Sequence, residues 1–431
     1  MTMIINETAD IPNSTLFSSF IVKWASQKHR LSGLSLRVLP SIVQNLASHF
    51  PALEHRETEY EGRYLTPPCA RTNRLLGYPF IAKPRWLASP PLPHRRWTNR
   101  QPHATESSPE DALSEESLND FISSLPSREG WPQPLIQYKG YWFKPRMLEG
   151  VLRTRRAFLP RADDVVLATQ PKCGTTWLKA LAFTIANRSC HGLGATDHPL
   201  LTRHAQHLVP FIEIPGATGG DDHINLGALP STRLLATHMP MSLLPPETRS
   251  LGCRVVYLCR DPKDTLVSRL HFENKLAARC GGVGPSMDDA FGMFCEGFSP
   301  YGPFWDHCLE YWEESGARPD TILFLKYEEI KLDPARVVRR LASFLGVPLT
   351  EQEESSGVAD KVARMCSFET LTGLEVKQVG GVSHGNRVHF DNSVFYRKGE
   401  VGDWVNHMSR EMGVKLDRIV QQKLHGSGLV F

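Results

Sequence analysis

Lys172, Cys173, Gly174, Thr175 and Thr176 stand in a row directly behind the β-branched run Val165-Val166-Leu167-Ala168-Thr169. A cation, a glycine and two hydroxyls in that order suit the capture of an anion. The glycine allows the chain to turn, and a helical pattern from Thr175 to about Ala186 leads out of the turn. A strand that turns into a helix leaves backbone N–H groups aimed at one spot, where the helix dipole also favours negative charge. Phosphate is the usual occupant of such a cradle; the plainer alternative is an ordinary strand-to-helix turn. The common nucleotide loop, G-x-x-x-x-G-K-S/T, is absent from this stretch. That loop places lysine after the glycines with a hydroxyl beside it for Mg²⁺, whereas Lys172 precedes Gly174.

Other residues with chemistry follow further along. Thr237-His238-Met239-Pro240 offers a histidine able to take a proton near neutral pH, as a general base acting on a hydroxyl must. Read alone, His238 is better taken as a turn-capping histidine before proline. Arg260-Asp261-Pro262-Lys263-Asp264, with Ser268 one or two helical turns on, could grip a second phosphate, since the arginine fork makes two parallel bonds to phosphate oxygens. Alternatively Arg260 pairs with Asp264 on the surface. Tyr327 could bond or stack on a base, or sit half-buried as core. Arg397-Lys398-Gly399-Glu400-Val401-Gly402-Asp403-Trp404 combines two cations with two glycines. It reads as a loop phosphate site or as a solvated basic turn.

These residues need a frame to bring them together, and the pattern of apolar runs predicts one. Val165–Thr169, Arg233–Ala236, Arg254–Cys259 and Thr321–Leu325 are short and apolar, and helical patterns such as Lys263–Phe272 and Ala335–Phe344 separate them. Strands alternating with helices predict an α/β fold, a mostly parallel sheet covered on both faces. Each of the four runs is followed at once by unusual polar residues. The carboxyl edge of such a sheet is where ligands bind. Two anion sites, a base and a tyrosine on that edge suit a nucleotide carrying phosphate at both ends.

The bulk numbers narrow the classes. The chain has 431 residues, 41% hydrophobic, enough for a large core. Its 49 basic and 46 acidic residues leave a net charge of +3, so bulk charge points to neither nucleic acid nor membrane. Nine cysteines lie singly, with no C-x-x-C pair, which suits a reducing compartment. No apolar run approaches a membrane span; the expectation is a soluble cytoplasmic protein. Residues 1–104 are rich in Ser, Pro and Arg, and no acidic residue occurs between Arg63 and Ala104. A disordered or variable extension is expected there, with a transit peptide as the alternative. Residues 105–120 turn acidic and read as a linker or short helix, and the globular texture covers the remainder, 121–431.

On these motifs the chain resembles the plant-type cytosolic sulfotransferases from about Phe121 to Phe431. Pro-Lys-Cys-Gly-Thr-Thr-Trp at 171–177 resembles the family's P-K-S/T-G-T-T-W loop, and Cys-Arg-Asp-Pro-Lys-Asp-Thr-Leu-Val-Ser at 259–268 its 3′-phosphate segment. Arg397-Lys398-Gly399 with Gly402-Asp403-Trp404 resembles its closing R-K-G-x-x-G-D-W, and Thr237-His238-x-Pro240 the segment carrying its base. Phe298-Ser299-Pro300-Tyr301-Gly302-Pro303-Phe304-Trp305-Asp306-His307 is typical of the plant branch. The resemblance implies a P-loop-like single catalytic domain. It implies sulfuryl transfer from 3′-phosphoadenylyl sulfate to a hydroxyl of a small acceptor such as a flavonol, steroid, hydroxyjasmonate or desulfoglucosinolate, and no metal. It gives Lys172, Cys173, Gly174, Thr175, Thr176 and Trp177 to the 5′ end of the nucleotide, with Trp177 against adenine. Arg260, Ser268, Arg397, Lys398 and Gly399 go to the 3′-phosphate, Tyr327 to the adenosine, Ser367-Phe368 beside the base, and His238 to proton removal. Lys172 would also neutralise the leaving oxygen.

The chain departs from the family pattern at several points. Cys173 replaces a hydroxyl residue, and Ala236 stands where animal members carry lysine. Val405, Ser409, Arg410 and Val414 do not reproduce the family's dimer stretch, so dimerisation by that route is not expected. Trp142, Phe143, Phe211 and Phe298 are the expected apolar walls of the acceptor pocket.

Overall fold

The computed structural model describes residues 114–214, 226, 229, 232–374, 381–383 and 389–431. The extension 1–104 and the acidic stretch up to residue 113 lie outside the described residues. The end of that acidic stretch joins the fold: Glu115–Ser124 is helical, capped by Ser114, with Leu118 and Ile122 buried.

Four strands form the central sheet: β4 (Val165–Thr169), β5 (Leu234–Thr237), β6 (Arg254–Cys259) and β7 (Ile322–Lys326). They are all parallel, in the order β5-β4-β6-β7. Val165 stands opposite both Leu234 and Arg254, and Val255 opposite Ile322. Every residue of β4 is buried, as in a parallel strand covered on both faces. Alternate side chains feed two cores. Val166, Ala168, Val255 and Tyr257 face one, while Val165, Leu167, Val256 and Leu258 face the other. Helices α1 (Pro145–Ala157) and α4 (Phe304–Ala317) pack into the first core, and α2 (Thr175–Asn187) and α5 (Pro334–Phe344) into the second. The expectation of a parallel sheet between helical layers is met.

A three-stranded antiparallel sheet, absent from the sequence expectation, precedes it: β1 (Ser127–Arg128), β2 (Leu135–Tyr138) and β3 (Tyr141–Phe143). These strands are too short for period-two alternation to show. At the amino ends of β4 and β5 the buried pair Asp164–Arg233 is bidentate, with contacts of 2.5 and 2.6 Å.

The order places β4 between β5 and β6, so the chain passes from β4 to β5 on one side and then crosses from β5 to β6 on the other. The crevice beyond the carboxyl ends of β4 and β6 is the topological switch point, and ligands bind there in open parallel sheets. The turn from β4 into α2 and the start of α3 (Pro262–Arg279), behind β6, both open onto it.

Candidate active site

A cavity of about 680 Å³ occupies that crevice. Lys172, Gly174, Thr175, Thr176 and Trp177 line it, as do His238, Arg260, Ser268, Tyr327, Arg397 and Gly399. The sequence candidates therefore meet, apart from two.

Gly174 shows why the loop needs a glycine. Its φ is +106°, and a Cβ there would lie 2.8 Å from the Tyr327 ring and 3.2 Å from Leu258. Lys172 also has positive φ, 77°, which turns its side chain over the Phe272 ring, Nζ to centroid 4.0 Å. Among the described residues no carboxylate pairs with it. Burial, with Arg269 beside it, lowers its ammonium to about 7.

Cys173 is one of the two exceptions. Its side chain is buried in the core, 3.6 Å from Thr265 Oγ1, and does not line the cavity. Its N–H is already given to the Gln170 carbonyl at 3.2 Å. Its side chain faces the core and its N–H turns to Gln170, so this position brings neither group to the cavity. Lys398 is the other exception. Its Nζ lies 2.7 Å from Asp403 Oδ1, outside the cavity lining, and the Arg397 guanidinium bonds the other oxygen of the same carboxylate. These cations hold Asp403 well below the usual carboxylate range.

Arg260 does pair with Asp264, at 3.2 Å, but in the interior. Asp264 also accepts from Gly402 N at 2.7 Å and Trp404 N at 3.0 Å, so one buried carboxylate ties the closing loop to the start of α3. Arg260 also donates to the Glu400 carbonyl and lies over the Tyr327 ring, yet its Nε is buried without a partner. Trp177 Nε1 is likewise buried and unpartnered, beside Tyr327 at 5.2 Å between centroids. A Cβ on Gly399 would reach 2.5 Å from Phe368, and Tyr327 OH donates to the Gly399 carbonyl at 3.1 Å. Glycines pressed close, aromatic faces and two orphaned buried donors fit a planar base with phosphates on either side.

His238 sits at the end of β5, held on all sides by residues to which sequence reasoning assigned no role at the site. Its N–H donates to Glu213 at 2.7 Å, and its carbonyl accepts from His307 Nε2 at 2.9 Å. Its Nδ1 lies 2.8 Å from the Thr169 carbonyl and 3.1 Å from Thr169 Oγ1, which in turn meets Thr175 Oγ1 at 2.7 Å. A carbonyl only accepts, so Nδ1 carries the ring proton and Nε2 is left with its lone pair. Burial pulls the imidazole down to about 3, so it is neutral at ordinary pH. Phe211 and Tyr301 pack against the ring, at 4.8 and 5.5 Å between centroids.

Of the four expected apolar walls only Phe211 lines the cavity. Phe143 and Phe298 are core, and Trp142 packs edge-on against Phe298 at 4.8 Å. The cue that was available for Thr169 is its place as the polar residue that ends a buried strand. His307 closes the Phe298–His307 segment typical of the plant branch, with no role to be read from it there, and nothing local marks Glu213.

A neutral histidine with a free Nε2, beside an anion cradle with an aromatic-lined second half, can deprotonate a hydroxyl next to a bound nucleotide. Comparison with known proteins decides which chemistry this is. The sulfotransferase domain model matches residues 162–428. The chain belongs to the sulfotransferase family. Cytosolic sulfotransferase 5 of Arabidopsis thaliana is 41% identical over 317 residues, covering 73% of this chain and 97% of that protein. The solved structure of a putative steroid sulphotransferase of Arabidopsis thaliana is 34% identical, with a TM-score of 0.58, covering 74% of this chain and 98% of that one. Mouse sulfotransferase SULT7A1, solved in complex with PAP, is 28% identical with a TM-score of 0.51, covering 68% of this chain and 95% of that one. This sulfotransferase is an enzyme of the plant cytosolic kind, and sulfuryl transfer is its activity.

Proposed function

We propose that this sulfotransferase uses 3′-phosphoadenylyl sulfate as donor and a small hydroxylated, largely apolar acceptor, with His238 as the base. The observation that carries the reading is the imidazole itself: neutral through burial, its Nδ1 proton fixed on the Thr169 carbonyl, its Nε2 free beside the cradle. PAP bound in the solved mouse relative and the orphaned donors of Arg260 and Trp177 support the nucleotide half. When bound, the donor supplies an activated sulfuryl group.

The protein's own residues do the rest. Lys172, Thr175 and Thr176 would hold the 5′ end, with Arg260, Ser268, Arg397 and Gly399 at the 3′-phosphate. The Trp177 and Tyr327 rings would bracket the adenine region. His238 Nε2 takes the acceptor's hydroxyl proton. The resulting imidazolium shares its Nδ1–H with the carbonyl and hydroxyl of Thr169. Lys172 brings positive charge to the leaving oxygen. The names of the relatives support a cytosolic enzyme, and among the described residues no helix is long and apolar enough to cross a membrane. Flavonols, steroids and hydroxyjasmonates are the acceptor classes to screen first, because the acceptor half is walled by Phe211, Tyr301 and Met147.

The test follows release of adenosine 3′,5′-bisphosphate on adding such acceptors, in wild type and in His238→Ala. Turnover should fall about 10²–10⁴-fold in the variant while nucleotide affinity stays near normal. Because burial holds His238 at about 3, kcat/KM for the acceptor, measured at saturating donor so that Lys172 is already charged, should show no inflection at the ordinary histidine value. Near-normal turnover in His238→Ala would remove the histidine from the mechanism.

A further inference from the structure

Lys179 lies on α2 one turn beyond Thr175, a place from which a lysine would ordinarily reach water. It is instead fully buried. Its Nζ sits 3.4 Å from the centroid of Phe211 and 2.5 Å from Gln206 Oε1. Gln206 is buried as well, and its Nε2 lies 3.1 Å from Thr176 Oγ1. Burial pulls the ammonium well below the usual lysine range, while the Glu213 carboxylate pulls it back up. An amine kept in such a place costs stability, and Lys179 stands behind the cavity wall rather than on it.

Hydrogen-bond valence says what the arrangement does. The Lys179 amine donates to the amide carbonyl of Gln206, which turns the amide N–H groups toward Thr176. Thr176 Oγ1 then accepts from Gln206, and its own proton is left for the cavity that Thr176 lines. We infer that Lys179 is a positioning residue which, through Gln206, sets the Thr176 hydroxyl as a hydrogen-bond donor to the 5′ end of the nucleotide. The inference rests on the donor site proposed above. Without the lysine the amide can turn over, its carbonyl takes the Thr176 proton, and the hydroxyl presents lone pairs to an anion.

The experiment measures equilibrium binding of adenosine 3′,5′-bisphosphate and of adenosine 3′-monophosphate to the full chain. Wild type, Lys179→Met, Thr176→Val and the double variant are compared. Lys179→Met should weaken the bisphosphate about tenfold, the scale of one charge-assisted bond. It should leave the monophosphate unchanged, since that ligand has no 5′-phosphate, and should add nothing to the loss in Thr176→Val. Equal losses for both nucleotides, or additive losses in the double variant, would overturn the relay and leave the donor site standing. A Thr176→Val protein that binds the bisphosphate as wild type does would overturn the relay together with the assignment of Thr176. If Lys179→Met does not fold, Gln206→Glu takes its place in the same cycle. Its carboxylate accepts from both neighbours, so part of its effect must vanish in the Thr176→Val background; full additivity again sinks the relay.

Discussion

Lys172 joins two demands that oppose each other. Its positive φ and burial place the ammonium inside the cavity, and the same burial lowers it to about 7. A bound anion favours the charged form, so the nucleotide complex keeps the ammonium to higher pH than the free protein does. Below about pH 7 the free protein is already charged and binding moves no proton. Above it the neutral amine must take up a proton as the anion enters. Nucleotide affinity should therefore weaken as pH rises above 7, with uptake approaching one proton per nucleotide. Calorimetry in buffers of different ionisation enthalpy measures that uptake, and Lys172→Met should show none. A proton count near zero at pH above 8 would mean that Lys172 stays charged in the free protein.

At the scale of elements, the site is a meeting of strand ends with the loop Arg397–Trp404. Asp264 holds that meeting, since it accepts from Arg260 on one side and from Gly402 and Trp404 on the other while fully buried. Removing one member of a buried pair leaves the other charge uncompensated, a loss of about 3–5 kcal/mol. Asp264→Ala should thus lower the melting temperature and weaken nucleotide binding together, because the loop carries Arg397 and Gly399 into the cavity. It should also make the loop the first point of cleavage in limited proteolysis. A variant with normal stability and weakened binding alone would show that the loop is held by other contacts, such as Tyr327 on the Gly399 carbonyl.

For the whole molecule, the family match begins at residue 162, and 73% of the chain spans 97% of an Arabidopsis relative. A protein shortened by residues 1–104 therefore retains every described residue that lines the cavity. It should keep the melting temperature and nucleotide affinity of the full chain. The acid-free, proline-rich stretch has too little periodic apolar pattern to bury much surface. A large fall in either quantity would make the extension part of the fold. A change confined to acceptor range would instead make it a cover for the acceptor half of the cavity.

The sequence by itself determined the parts whose physics is local. The β4 and β6 runs fall where the apolar pattern puts them, because strands buried on both faces must be continuously apolar. Gly174 before two threonines marked the cradle, because only glycine turns a strand into a helix with φ of +106° beneath Tyr327. Tertiary structure alone decided which way side chains point and what they meet. Cys173 could be seen in the loop but not turned into the core, and Lys398 could not be seen spending its charge on Asp403. Glu213 and His307 reach the backbone of His238 from 25 and 69 residues away, and Lys179 meets Gln206 from 27. Each of those contacts is a burial of polar groups that must find partners in a dry interior. The partner is chosen by the packing of the sheet and its helices, and a linear pattern holds no record of that choice.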